Sequence, residues 1–199
     1  MTDDTQSNQR RILDAAKQLF LTKGFNGSNL RDIAREAQVS MGGIYHHFAS
    51  KEEIYTSLLQ GSDVATDMLQ VMELLRSDAF PENLAAVGDA IAGTVRKHRE
   101  TFKLFYIDVL EFQGKHVKPL IQQFRGAFGE MSATLLEPRK DELADVHPAV
   151  IMRVILDVFI HTRLEEAMLE QPLAETLGLT DEQVTSQVAQ LLLHGILKR

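Results

Sequence analysis

The chain of 199 residues contains no cysteine. Disulfides and thiolate chemistry are therefore excluded. Such a composition suits a reducing cytosol, although a secreted protein can also lack cysteine. There is no run of about 18 apolar residues, so no membrane-spanning helix is expected. The first residues, MTDDTQSNQR, are polar and acidic and carry no apolar segment of signal-peptide type. The signatures of common enzymes are missing too: no H-E-x-x-H, no G-x-S-x-G and no glycine-rich phosphate loop. His98, His116, His147, His161 and His194 are scattered, with no pair four residues apart. A helical hydrolase or metal enzyme, the rival class, has nothing to work with. Neither a metal nor another cofactor is expected.

Positive charge is also scarce, since 21 basic residues face 28 acidic ones for a net charge of −7. That balance argues against a nucleic-acid partner until its distribution is considered. Residues 8 to 51 hold Arg10, Arg11, Lys17, Lys23, Arg31, Arg35 and Lys51 against Asp14, Asp32 and Glu36. This stretch carries +4, which leaves −11 for the rest. Nucleic-acid binding depends on the local field rather than the total. A basic head on an acidic body is the arrangement implied.

What is abundant is helical periodicity. Ile12, Ala15, Ala16, Leu19 and Phe20 fall on one helical face, which Gly24 ends. Ser28 or Asn29 can cap a second helix with Leu30, Ile33, Ala34 and Ala37 on its buried side. After a break at Gln38–Val39, Ser40 can cap a very short third helix. Ser50 with Glu53 reads as a capping box that opens a fourth. Further helices are expected over 51–76, 82–98, 100–113, 116–137, 147–170 and 180–197. Pro81, Pro119, Pro138, Pro148 and Pro172 stand near their ends. No strand alternation and no internal repeat appear. The fold class expected is all-α, with a head over residues 1–52 and a larger body over 53–199.

The segment VSMGGIYHHF, Val39–Phe48, decides what the head does. Three short helices with the tight turn QVS between the second and third make a helix-turn-helix unit. In such a unit the third helix enters the major groove. Its outward residues must be small or able to donate hydrogen bonds, because DNA offers phosphates and base edges. Gly42 and Gly43 let the backbone approach closely, although without their flanks they would read as a loop. Tyr45 offers a hydroxyl on a rigid ring, and His46 or His47 an N–H for a phosphate. Lys51 adds a charge at a helix start. Ile44 and Phe48 face inward. His46 and His47 are adjacent and point about 100° apart on a helix, so they cannot clasp a metal together as an i, i+4 pair would. The DNA-contact set expected is Ser28, Asn29, Arg31, Ser40, Met41, Gly42, Gly43, Tyr45, His46, His47 and Lys51.

ILDAAKQLFLTKGFNGSNLRDIAREAQVSMGGIYHHFASKEEIY resembles the DNA-binding head of the TetR (tetracycline repressor) family of bacterial regulators. The matching features are ILDAA with LF, then GF, IA, VS-x-G-x-I-Y-x-H-F and SKEE, in order and spacing. They cover about the first quarter of the chain. The resemblance implies a homodimer on a double-stranded DNA operator, with an all-helical body that binds a small molecule. One departure stands in the turn, where the family usually has glycine and this chain has Gln38. A left-handed backbone there would cost a non-glycine residue about 1–2 kcal/mol.

Two regions of the body carry candidates. TFKLFYIDVLEFQGK is apolar on most sides and reads either as core or as a cavity wall. The lining expected for an effector is Met72, His98, Phe102, Phe105, Tyr106, Val109, Phe112, Phe124, Phe128 and Phe159. A lining of this kind favours a lipophilic molecule fixed by one or two polar groups. Asp108 and Glu111 would meet a cationic ligand if they faced inward, but such residues more often sit on a solvated strip, and Glu111 has Lys115 four residues on. Ile151, Val154, Ile155 and Val158 share a stripe, and the last helix carries Val184, Val188, Leu191, Leu192 and Gly195. These either pack within the subunit or, as the resemblance implies, form a four-helix dimer interface.

Overall fold

In the computed structural model every regular element among the described residues, 2–76 and 79–196, is a helix. The side chains of residues 2–6 and of Phe128 lie outside that set. The order is α1 Thr2–Lys23, α2 Leu30–Glu36, α3 Met41–His47, α4 Lys51–Gln60, α5 Val64–Leu75, α6 Leu84–Lys97, α7 Arg99–Phe112 and α8 Lys118–Leu135. A 3₁₀ turn at Glu137–Arg139 follows, then α9 Pro148–Leu169, α10 Leu173–Leu177 and α11 Asp181–Ile196. Two elements differ from the sequence reading. The helix expected over 51–76 breaks into α4 and α5, because Gly61 ends α4 with its amide donated to Ser57. The short α10 was not expected. The end of the 180–197 helix, Leu197, lies outside the described residues.

The chain packs as two units. The first, the head, joins residues 1–62 to 100–118. Its core is Ile12, Ala16 and Phe20 of α1, Ile33 and Ala34 of α2, Ile44 of α3, Phe48, Ile54 and Tyr55 of α4, and Leu104 of α7. Tyr55 ties α4 to α7 within this unit. Its ring is fully buried against Phe20 and Phe25, and its hydroxyl donates to the Leu104 carbonyl at 2.5 Å. An apolar ring with a satisfied polar tip binds α4 to α7.

The second unit, the body, holds residues 63–99 and 119–199 as far as they are described. Helix α6 lies at its centre, packed on α5, α9 and α11. Gly88 permits that approach, since a Cβ there would stand 2.5 Å from Phe159 Cε1 and 2.6 Å from Thr185 Cγ2. Arg163 of α9 is buried but satisfied. Its guanidinium donates to both oxygens of Glu166, to the Asp181 carbonyl and to Thr185 Oγ1. Removing one partner of such a network leaves a buried charge, which is strongly unfavourable.

Candidate nucleic-acid interface

Each short helix of the head is fixed at its start by a side chain. Asn29 Oδ1 accepts from the Asp32 amide at 2.9 Å and caps α2. Ser40 Oγ accepts from the Gly43 amide at 3.0 Å and caps α3. Ser50 Oγ accepts from the Glu53 amide at 3.1 Å, and the Glu53 carboxylate takes the Ala49 amide at 2.6 Å. The capping box expected at Ser50 is present, with its return bond one residue further out. Helices of seven residues need such help, because one or two turns are not stable alone.

The turn between α2 and α3 bears the strain anticipated for a missing glycine. Gln38 sits at φ +55°. Arg11 of α1 compensates: Nη2 donates to the Gln38 carbonyl at 3.2 Å, and Nη1 reaches Asn8 Oδ1 at 3.3 Å. The Val39 amide then closes the turn on the Ala34 carbonyl at 3.0 Å.

On α3, Ile44 is fully buried and Phe48, its C-cap, nearly so. The opposite side is open. Tyr45 is 58% exposed, and no polar partner among the described residues takes its hydroxyl. His46 is exposed and His47 half-buried, with the two rings edge to face at 5.0 Å. Gly42 is exposed, and a Cβ on it would meet nothing nearer than Ser40 Oγ at 3.7 Å. Packing within the head therefore does not require glycine at 42. Arg31 is exposed and unpaired among the described residues, whereas Arg35 is held by Asp32 at 2.5 Å.

Two expected contact residues are used otherwise in this structure. Ser28 is buried, and its hydroxyl donates to the carbonyls of Gly24 at 2.8 Å and Leu19 at 3.2 Å. Its side chain belongs to the helix end, not to an outer surface. Lys51 Nζ donates to the carbonyls of Phe25 at 2.7 Å and Ser28 at 2.6 Å, and lies 4.0 Å over the Phe25 ring. Partial burial lowers its pKa, and the charge of Glu111 acts the other way. Two carbonyls and an aromatic face occupy the ammonium that sequence assigned to a phosphate.

Sequence reasoning missed the groups that α7 and the turn after it bring to the head. Glu111 takes the amides of Phe25 at 3.0 Å and Asn26 at 2.6 Å. It is neither a surface partner of Lys115 nor a ligand group. Asp108 is fully buried and accepts from His116 Nδ1 at 2.5 Å and from the amides of His116 and Val117. His116 Nε2 meets Glu52 at 3.0 Å, and Lys115 meets the same oxygen at 2.5 Å. Those bonds, from Lys115 first and then His116, hold the Glu52 carboxylate below its usual range. Glu52 and Asp108 sit on opposite edges of one imidazole, which bridges the two carboxylates. Burial, with the charges of Asp108 and Glu111, pushes the Tyr55 phenol upward, and it stays a neutral donor. These pairs lie 8 to 86 positions apart. No local pattern marks them.

The residues expected to line an effector site divide between the two units. Met72 and Phe159 are buried in the body's own core, and His98 is bonded to Asp67 at 2.7 Å. Phe112 stacks in the head's aromatic cluster with Phe25 at 4.5 Å and His116 at 4.7 Å. Phe102 and Phe105 are half-buried with rings 5.7 Å apart, while Tyr106 and Val109 are exposed. Phe124 is half-buried, and the side chain of Phe128 lies outside the described residues. A cleft of about 290 Å³ opens elsewhere in the body. Ala92, Val95, Ala167 and Pro172 line it, with the charged residues Arg96, Arg99, Arg163, Glu166 and Asp181.

The expected interface residues divide as well. Ile151, Ile155 and Val184 are buried within the chain and fill its own core. Val154 is 45% and Leu191 76% exposed. Val158, Val188 and Leu192 are half-buried and Gly195 is exposed. The outward stripe of α9 therefore runs Val150, Val154 and Val158, of which Val154 and Val158 belong to the stripe chosen from sequence.

Comparison with known proteins bears on this geometry. Residues 12–58 match the bacterial regulatory proteins of the tetR family. The HTH-type transcriptional regulator UidR of Escherichia coli is 34% identical over 175 residues, spanning 79% of this chain and 81% of that protein. The HTH-type transcriptional repressor KstR2 of Mycobacterium tuberculosis is 45% identical over 58 residues, 28% of this chain and 29% of that one. Its solved structure superposes with a TM-score of 0.65 at 24% identity, covering 96% of this chain and 95% of that one. NalD, the secondary repressor of the MexAB-OprM multidrug efflux pump in Pseudomonas aeruginosa, superposes at 0.65 with 18% identity over 98% of both chains. The latter two likenesses speak for the fold. These relatives are regulators, not enzymes, and no helix among the described residues is long and apolar enough to cross a membrane. With a relative this similar over most of its length and a helix-turn-helix head in place, the chain belongs to the tetR family of bacterial regulatory proteins and is a DNA-binding transcriptional regulator.

Proposed function

We propose that this chain is a cytoplasmic, homodimeric repressor, released from a near-palindromic operator by a small molecule. The observation that carries the DNA half is α3 itself. It is anchored by Ile44 and capped by Ser40, yet its other side holds Gly42, Tyr45 and His46, exposed among the described residues. A two-fold axis puts two such helices one turn of DNA apart. Asn29, Arg31, Ser40, Met41, Gly43 and His47 complete the contact surface. The exposed apolar stripes, Val154 with Val158 and Leu191 with Leu192, support pairing of two copies through α9 and α11.

A salt-sensitive gel shift on the DNA flanking the protein's own gene tests the regulator reading. An enzyme or a non-DNA adaptor gives no shift there. Light scattering tests the dimer, and a monomer that still holds the operator tightly would refute it.

The effector is an apolar molecule carrying one polar or charged group. The cleft beside α6 supports this, since Ala92, Val95, Ala167 and Pro172 line it together with charged groups that include Arg99, which has no partner among the described residues. A thermal-shift screen against aromatic acids, fatty acyl compounds and lipophilic cations separates the classes, with DNA release measured for each hit. A true effector raises the melting temperature and loosens DNA together. Coupling energies of this kind are about 1–3 kcal/mol.

A further inference from the structure

The loop 24–29 fixes where α2 starts and therefore where α3 points. Its carbonyls at Phe25 and Ser28 are held by Lys51. Its amides at Phe25 and Asn26 are held by one carboxylate, Glu111, with an oxygen for each at 3.0 and 2.6 Å. Glu111 is 86 positions from Phe25 and lies outside the segment that matches the family. The clamp also dictates Gly24. That residue sits at φ +73°, and a Cβ on it would stand 2.5 Å from Glu111 Oε1.

We infer that Glu111 is a positioning residue for operator recognition, setting the direction of α2 and α3 through the loop it clamps. The inference rests on the reading that α3 enters the major groove. Charge-assisted bonds to two successive amides are strong and directional. Helix α1 keeps its own buried face, Ile12, Ala16 and Phe20, whether or not the loop is clamped. Loss of the carboxylate therefore loosens the entry to α2 while leaving the core of the head assembled. Phosphate contacts tolerate a small shift of the recognition helix, whereas base-edge contacts do not. Glu111 thus acts on the preference for the operator over other DNA.

The test uses the full chain as wild type, Glu111→Gln, Glu111→Ala, Gly24→Ala and the Gly24→Ala/Glu111→Ala double variant. The probes are a duplex from the DNA flanking the gene that the gel shift retains and an unrelated duplex of equal length. Thermal melts establish that each variant is folded at the assay temperature. Glu111→Ala is expected to weaken operator binding about tenfold, as when about one dimer in ten has both loops correctly placed. Affinity for the unrelated duplex and the salt slope stay unchanged. Glu111→Gln, which retains one acceptor oxygen, falls between. Gly24→Ala weakens operator binding in the wild-type background and less so beside Glu111→Ala, where its methyl meets no carboxylate. If Glu111 only stabilises the head, its variants melt earlier but keep the wild-type ratio of operator to unrelated affinity, and the inference is overturned. A wild type that does not discriminate the two duplexes would instead remove the recognition reading on which the inference rests.

Discussion

In the head, the three helices after α1 begin at Asn29, Ser40 and Ser50, and each of those side chains accepts a bond from its helix's first turn. In the body, α9 and α11 are capped by His147 and Thr180, but α5 begins at Asp63 and the central α6 at Asn83 without any such bond. The burial differs in the same direction. Helix α3 buries only Ile44, whereas α6 buries Leu84, Val87, Gly88, Ile91, Ala92, Thr94 and Val95. A helix that must leave one side vacant for DNA cannot be held by packing all round. It is held by its ends, by one anchor and by neighbours such as Arg11 and Lys51. A helix at the centre of a bundle needs little capping, because tertiary burial supplies most helical stability.

The largest effect should come from removing anchors of the two kinds. Ile44→Ala in α3 and Ile91→Ala in α6 both delete fully buried side chains. Each should cost about 2–5 kcal/mol in denaturant melts. Their effects on DNA should differ. Ile44→Ala abolishes operator binding even where the protein is folded, because nothing else on α3 is buried. Ile91→Ala leaves the binding of folded protein near wild type. Equal losses of binding would mean that α3 is positioned by the whole molecule and not by its own anchor.

Lys51 sharpens the comparison next. Its ammonium gives two bonds to backbone carbonyls, so Lys51→Ala should destabilise the head by about 1–3 kcal/mol, the usual range for hydrogen bonds to a charged group. The slope of log K against log[salt] should stay as in wild type, since no phosphate is released. A slope lower by about one per phosphate contact would restore Lys51 to the DNA surface.

Lys51 also illustrates what could be read from the sequence. The short helices, the caps at Ser40 and Ser50, the strained turn at Gln38 and the inward Ile44 and Phe48 were all legible, because each depends on neighbours within a few positions. The bonds that Lys51, Ser28 and Glu111 make within the head were not legible, for the opposite reason. Their partners are 9 to 86 positions away or are backbone groups, which carry no residue identity. The body followed the same rule. The extents of α6, α8 and α9 were close to expectation, yet the break at Gly61 was missed. Periodicity placed Ile151 and Val154 on one stripe, but only packing distinguishes a buried side from an outward one. The expected effector lining is open to the same ambiguity: an apolar residue reads alike whether it fills a core or faces a cavity.

A smaller effect separates local from tertiary control directly. Ser40→Ala removes a cap bond and should cost about 1 kcal/mol. Asp63→Ala removes none and should cost under about 0.5 kcal/mol, as surface changes usually do. Melting curves of the two variants provide the check. A cost at Asp63 as large as at Ser40 would mean that the body's helix starts depend on their first residues after all.

The smallest change should move stability and function in opposite directions. Gly42 lies in the first turn of α3, exposed, with room for a methyl group. Gly93 lies in α6, exposed, with nothing within 4 Å of a Cβ. Replacing either by alanine reduces the freedom of the unfolded chain and should stabilise the fold by about 0.4–1 kcal/mol. Any difference between them must then come from what each faces when DNA is bound. At Gly93 the operator affinity should not change. At Gly42 the methyl stands where the backbone approaches the duplex, and affinity should fall about fivefold, close to 1 kcal/mol. Melting and binding on the same two samples decide it. If Gly42→Ala stabilised the protein and bound the operator as wild type does, the N-terminal turn of α3 would not be the point of closest approach. Recognition would then have to rest on Tyr45 and His46, further along the helix.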